Sequence, residues 1–496
     1  MTNQDLYILS PELGLAGLAL VLILLDLVIE RKQVLPIVAV VGLAIPLGFS
    51  IALWFDLEGL GLEDSILVNT LEVDKFALFF KFLIIGVTAL IVLASTDYVK
   101  RFSRFRAEYY SLVLFSAAGM MLLASAIDLI TIYVALELTA LPIAALAAFN
   151  RDARSAESAM KFLILSAISS AFLLYGMVMV YGFTGSTSLG DIAARLGEVG
   201  LSPETPFGSH ALLFGIVLII AGAGFKLASF PFHMWAPDVY EGSPTPITAF
   251  LSVASKAAGF AVVLRVFYMA FDIPIVSVEW SAIFAVLSAL SMSVGNLIAI
   301  RQDNIKRLLA YSTIAHAGYL LVGVAAIASR SADGDSSGPS GVLFYLGGYA
   351  ATNLAAFTVV IAISERIGSD AIDDFAGMAK RSPYLAGVLG FSMISLIGVP
   401  PTVGFVTKVY IFGSAVETNL EWLAIVGVIN SVVSAYYYLR VVKVMYLSPA
   451  PSMEPIGPGL PLRLAVLVAF AGTAFFGLYP TPLLKLAIAA AAGLVA

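Results

Sequence analysis

Apolar stretches recur along the whole chain between short polar connections. Each is long enough to cross a hydrocarbon core of about 30 Å at about 1.5 Å of helix per residue. Fourteen spans are predicted, over 8–29, 34–55, 76–97, 109–126, 129–149, 157–183, 211–235, 246–271, 280–300, 305–328, 341–364, 384–416, 421–445 and 462–482. The stretch after 482 stays apolar enough for further helical structure. The longest connections, 55–74 and 182–210, are too short for a soluble domain. The expected fold is an all-α polytopic membrane protein forming one transmembrane domain.

The basic residues test this count, because Lys and Arg collect in cytoplasmic loops. With the N-terminus outside, seventeen of the 27 fall in inner connections, among them Arg31, Lys32, Lys100, Arg101, Arg104, Arg106, Arg151, Arg154, Lys306, Arg307 and Arg381. Outer segments hold only Lys75, Arg195, Arg330 and Lys485. Both termini are therefore expected on the outer side. The opening residues, MTNQDLYILSPELG, lack the basic region of a cleavable signal, so the first apolar run is expected to be a retained span.

Composition agrees with a membrane location. The 496 residues have a mean hydropathy of +0.97, and 12% are charged against roughly 25% in a soluble domain. The formal net charge of −6 says little where most of the surface faces lipid, and it gives no reason to expect nucleic acid. There is no cysteine, and His210, His233 and His316 are far apart in sequence. Thiolate-ligated iron–sulfur clusters are thereby excluded, no histidine-rich metal site is expected, and any electron chemistry must occur in another chain. The loop 328–341 has clustered turn residues and acids without calcium-loop spacing, and reads as a solvated connection.

Apart from those assigned to the inner and outer ends and connections, six basic residues remain inside the predicted spans: Lys81, Lys161, Lys226, Lys256, Arg265 and Lys408. A charged side chain at the bilayer centre costs roughly 2.5–3.5 kcal/mol on insertion scales, so such residues are functional candidates. Lys81, Lys161 and Arg265 stand near span ends and are able to snorkel to the interface. Lys226 is about fifteen residues into its span and Lys256 about ten, too deep for that, and Lys408 is well inside the twelfth. Glu137 is the one acid at comparable depth, with Asp128 at a rim and Asp26 near an inner end. One acid cannot pair permanently with three lysines. Burial disfavours a charged amine, a neighbouring cation disfavours it further, and an approaching carboxylate restores it. A row of such lysines with water between them is a candidate proton relay; the alternative for any one of them is a fixed ion pair joining helices.

Pro231 follows Lys226 by five residues in FKLASFPFHMW, and Pro400 and Pro401 precede Lys408 in LIGVPPTVGFVTKVYIF. Proline removes an amide donor and interrupts its helix, which membrane proteins tolerate where the freed carbonyls line protein or a watery cavity. The two interrupted spans are five positions apart and run in opposite directions. That spacing predicts inverted five-helix repeats over spans four to eight (109–271) and nine to thirteen (280–445), preceded by three helices in 1–108 and followed by a C-terminal helix in 446–496. Interrupted helices at matching places in two halves point to a transport pathway.

Three segments closely resemble the antiporter-like membrane subunits of respiratory complex I: GFKLASFPFHMWAPDVYEGSPTPITAFLSVASKAAGF (224–260), NIKRLLAYSTIAHAGY (304–319) and GVPPTVGFVTKVYIF (398–412). The serine–lysine pair Ser255 and Lys256, together with a lysine at 408, is most similar to the subunit N type. The chain also ends too soon for the long lateral helix of the subunit L type.

The resemblance implies fourteen helices, two inverted repeats, discontinuous seventh and twelfth helices, and a polar axis that carries protons. It makes Glu137 the fifth-helix glutamate, Lys161 the sixth-helix lysine beside it, and Lys226, Lys256 and Lys408 the lysines of the seventh, eighth and twelfth helices. His316 stands where relatives often place a polar linking residue, and a core histidine fits equally well. His233, in the break, is expected to bond freed backbone. The implied function is a proton-translocating subunit of an NADH:quinone oxidoreductase in the bacterial plasma membrane or an equivalent energy-coupling membrane. No cofactor is expected in this chain; flavin and iron–sulfur clusters belong to partner subunits, and quinone is the substrate of the complex. The expected partners are the small membrane subunits, a neighbouring antiporter-like subunit and lipid. The rival readings are a subunit of a multi-subunit cation/proton antiporter without a redox partner, and a purely joining role.

Overall fold

Hydrocarbon offers no water to backbone N–H and C=O groups, so a chain this apolar must satisfy them within helices. The computed structural model describes residues 3–30, 32–57, 66–67, 69–102, 105–199, 206–273, 276–331, 337–450 and 452–495. Arg31 and Arg104 lie outside the described residues, as do 58–65, 68, 200–205 and 332–336 of the three long connections. Among the described residues, thirteen segments are long and apolar enough to cross a membrane: Ser10–Val28, Lys32–Asp56, Lys75–Arg101, Arg106–Ser125, Leu129–Ala147, Ala153–Thr184, His210–Leu227, Thr245–Ala270, Ser277–Ala299, Ile305–Ala325, Gly338–Ile367, Glu421–Leu447 and Leu460–Leu478. The twelfth expected span is present as two shorter helices, Pro383–Ile397 and Val403–Glu417, either side of a break.

These segments follow the predicted spans in order, with ends shifted by a few residues. The seventh departs most: its first half, Pro206–Leu227, is followed after the break by a second half, Trp235–Gly242, beyond the expected end at 235. A further helix, Thr481–Val495, occupies the apolar tail and packs on the third and eleventh spans. The 182–210 connection contains the helix Leu189–Val199, whose Leu189, Ile192 and Leu196 are buried against the end of the eighth span. A two-residue hairpin pairs Ile66–Leu67 antiparallel with Leu71–Glu72, in the register Ile66 with Glu72 and Leu67 with Leu71.

Burial sorts the spans. The eighth, tenth and eleventh are almost wholly enclosed, whereas the first, second and sixth leave most of their apolar surface outward. Polar groups on the three enclosed helices are therefore shielded from lipid, Lys256 of the candidate axis among them.

Two cations expected to reach the interface are sealed inside. Lys81 is fully buried, with Nζ 2.8 Å from Oε1 of Glu12, itself 4% exposed in the first turn of the first span. Glu137 is thus not the only acid inside the spans; the first span brings Glu12, which is buried, to Lys81. Arg265 is also fully buried. Its Nη2 lies 2.6 Å from Asp74, its Nε donates to the Ala124 carbonyl at 2.9 Å, and Glu72 is 3.5 Å from Nη1. Asp74 accepts from Ala77 N at 2.7 Å as well, capping the third span.

Removing one member of a buried ion pair strands the other, at about 3–5 kcal/mol, whereas apolar replacement of both is often neutral. Lys81→Met alone is expected to lower the thermal unfolding midpoint of the full chain in detergent, and adding Glu12→Leu to restore most of it. Equal losses in the single and double variants would show that the pair does not couple these helices.

Candidate functional site

The seventh span ends its first half where Ala228 turns into the left-handed region at φ +55° and Pro231 withholds an amide. The freed carbonyls find other donors. Gly224 O accepts from Ser229 N at 2.9 Å, and Phe225 O accepts from Trp235 Nε1 at 2.9 Å. Phe230 N donates to Ser291 Oγ of the ninth span at 2.9 Å. His233 stacks on Phe230 with ring centroids 5.5 Å apart; its Nδ1 is enclosed without a hydrogen-bond partner. The Phe230–Pro231 and Pro400–Pro401 peptides are both cis.

Lys226 occupies the last turn of that first half, with Nζ enclosed and without a hydrogen-bond partner. Two small cavities flank it, each of about 20 Å³. One is lined by Glu137, Ser166, Ser169 and Ser170, and the other by apolar side chains that include Leu136, Val263 and Phe267. A space of this size admits about one water molecule. Ser170 Oγ donates to Oε1 of Glu137, and the glutamate lines the same cavity as Lys226. Asp128, by contrast, caps the fifth span, accepting from Ile130 N at 2.9 Å and Thr131 N at 3.1 Å.

Lys256 follows a π-helical turn, Leu251–Ser255, in the enclosed eighth span. Its Nζ donates to the Thr313 carbonyl of the tenth span and stands 5.9 Å from the Tyr349 ring centroid. Hydroxyl contacts continue from there. Thr313 Oγ1 lies 3.0 Å from Tyr349 OH, and the His316 ring is centred 4.9 Å from that of Tyr349. His316 meets Tyr345 OH through Nδ1 at 2.7 Å and Tyr438 OH through Nε2 at 3.3 Å. Tyr438 OH is 2.5 Å from Ser312 Oγ.

Lys408 lies at the far end of this cluster, with Nζ 4.4 Å from the Tyr319 ring centroid, and that ring is centred 5.6 Å from His316. The ammonium reaches back to the last carbonyls of the twelfth span's first half, Leu396 O at 3.1 Å and Ile397 O at 2.9 Å. Gly398 makes the approach possible. Its φ is +90°, and a Cβ there would stand 3.0 Å from Lys408 Cδ. Lys408 thus carries its ammonium to the C-terminal end of a half-helix, where exposed carbonyls favour a cation by about 0.3–1 kcal/mol, whereas Lys226, in the last turn of the other half-helix, bonds no carbonyl.

Lys161 is not beside Glu137. Its Nζ is 2.8 Å from Asp238 and 2.7 Å from Glu157, with the side chain 42% exposed. Ser170, which does contact Glu137, is nine residues on, about 13 Å farther along the helix. Asp238 belongs to an ionic cluster that clamps the second half of the seventh span. Arg307 lies 2.7 Å from both Asp238 and Glu241, Arg154 also pairs with Glu241, and Lys306 donates to Glu241 O at 2.8 Å and Ser243 O at 2.7 Å.

The hydroxyl cluster around His316 was not foreseen from the charged residues. The signal was nonetheless in NIKRLLAYSTIAHAGY, where Ser312, His316 and Tyr319 are spaced by four and three and share one helix face. Tyr345 and Tyr349 are likewise four apart. Among the described residues there is no group of three or more His, Asp or Glu side chains suited to a metal ion.

Residues 126–434 match the family model described as NADH:quinone oxidoreductase/Mrp antiporter, transmembrane. NADH-quinone oxidoreductase subunit N of Dehalococcoides mccartyi is 42% identical over 491 residues, covering 97% of this chain and 98% of that protein. Among solved structures, a chain of respiratory complex I from Thermus thermophilus with bound aureothin superposes with a TM-score of 0.78 at 33% identity, over 96% of this chain and 98% of that one. A chain of the Mrp complex from a Dietzia species shares the fold, with a TM-score of 0.83 at 22% identity over 100% of this chain and 98% of that one.

Proposed function

The chain belongs to the NADH:quinone oxidoreductase/Mrp antiporter family and, within it, to the subunit N type, and we propose that it translocates protons in the membrane arm of an NADH:quinone oxidoreductase. The observation that carries this reading is Lys226, an enclosed ammonium without a hydrogen-bond partner, separated from Glu137 by a water-sized cavity. A charge held this way is tuned by its surroundings rather than fixed by one partner.

In the proposed relay, ionised Glu137 holds the proton on Lys226, and withdrawal of that negative charge releases it. Lys256 receives it and the hydroxyls of Thr313, Tyr349, Tyr345 and Tyr438 pass it by way of His316, since a hydroxyl both donates and accepts. Lys408 holds it at the far end. Lys161 tunes the second half of the seventh span through Asp238, and His233 seals the break without carrying protons. The segments 109–271 and 280–445 act as inverted repeats, each contributing one broken span and a lysine of the relay. Electron transfer from NADH through flavin and iron–sulfur clusters to quinone belongs to partner chains; this chain adjoins the small membrane subunits and a second antiporter-like subunit.

A cation/proton antiporter without a redox partner is the second reading, kept because the family description covers Mrp antiporters as well. Flavin-bearing and iron–sulfur-bearing chains that co-purify, with pumping indifferent to sodium, support the first; sodium-dependent transport in a preparation free of redox chains supports the second.

The chain is assigned to an energy-coupling membrane with both termini outside. A cysteine placed at Arg101 in this cysteine-free chain is expected to react with an impermeant maleimide only from the cytoplasmic face; reaction from the outer face contradicts the orientation. In sealed vesicles, Glu137→Gln is expected to slow quinone-linked proton pumping by about fivefold or more, the scale of an intersite coupling. Asp128→Asn, which preserves a helix cap, should change it little. Equal effects would leave Glu137 without a special role.

A further inference from the structure

Away from the polar axis, a groove of about 410 Å³ opens where the connection between the first and second spans meets that between the third and fourth. Ile37, Val40, Val41 and Leu93 form its apolar wall, and Lys32, Lys100 and Arg106 its basic end. Ile37 and Val41 lie on the outward flank of the second span, both exposed. Two of the cations already have acids: Lys32 is 2.8 Å from Asp26, and Lys100 is 2.6 Å from Asp97.

Arg106 differs. Its Nη2 reaches the Lys100 carbonyl at 3.3 Å, its Nε is enclosed with no hydrogen-bond partner, and among the described residues it forms no ion pair. A guanidinium presents a planar fork of donors that suits phosphate oxygens. Here it stands at a helix end, the depth at which headgroups lie, beside an apolar wall that runs into the hydrocarbon.

We propose that this groove binds an anionic phospholipid, its phosphate on Arg106 and an acyl chain along the wall of Ile37, Val40, Val41 and Leu93. Inorganic phosphate gains nothing from that wall. A zwitterionic lipid brings its own cation towards Lys32 and Lys100.

The test uses the intact complex in vesicles of one bulk lipid containing a photoactivatable phosphatidylglycerol or phosphatidylcholine, with cross-links mapped by mass spectrometry. Phosphatidylglycerol is expected to mark the groove about fivefold more than phosphatidylcholine, the effect of one basic residue on anionic lipid. Arg106→Gln should abolish the preference, Arg106→Lys keep part of it, and excess inorganic phosphate leave it intact. Should Arg106→Gln fail to assemble, Ile37→Trp, which fills the wall and spares the cation, is expected to remove the cross-links. Equal marking by the two lipids, persistence in both Arg106→Gln and Ile37→Trp, displacement by inorganic phosphate, or cross-links from the groove to a partner polypeptide would each overturn the proposal.

Discussion

An ammonium enclosed among membrane helices must find oxygen or negative charge without bulk water, because the desolvation it suffers is otherwise unopposed. This chain meets that demand in three ways. Lys81 and Arg265 have carboxylates brought to them by neighbouring helices. Lys408 and Lys256 bind backbone carbonyls, the former at the end of a half-helix. Lys226 has neither; it faces Glu137 across a cavity. The three arrangements differ in the partners they give the cation, and the proposed relay rests on that difference, with paired cations joining helices and Lys226 carrying the proton.

The helix breaks serve the same constraint. An unbroken helix keeps its carbonyls for its own amides, and only a terminus leaves them free. The proline-bearing breaks near 231 and 400 create such termini part-way along two spans. Beyond the first, the Asp238 and Glu241 cluster with Arg154 and Arg307 holds the short second half in place. Between the two lysines Lys256 and Lys408, Thr313 of the tenth span, Tyr345 and Tyr349 of the eleventh and Tyr438 of the thirteenth gather their hydroxyls around His316.

The spans were legible because length and hydropathy alone decide whether a segment crosses hydrocarbon, and the breaks because proline acts locally. Partnerships were not. Distance from a helix end suggested that Lys81 and Arg265 reach water, but whether another helix covers that end is a tertiary fact, and Glu12 and Asp74 come from elsewhere in the chain. Lys161 was placed beside Glu137 by resemblance, yet along the sixth span it is Ser170 that stands level with the glutamate, while Lys161 meets Asp238 from beyond the break. Uncharged hydroxyls at helical spacing carry no hydropathy or charge signal that sets them apart from packing residues, although they make most of the contacts around His316.

The claim at the centre is that Lys226 gives up and regains a proton, and the most direct measurement is the proton-to-electron stoichiometry of the assembled complex carrying Lys226→Arg. Arginine keeps the positive charge but holds its proton at any physiological pH. The account predicts that the variant, with subunit content verified, assembles and pumps almost as poorly as Lys226→Ala. Wild-type stoichiometry in the assembled Lys226→Arg complex would make Lys226 a fixed charge and contradict the relay at its central residue.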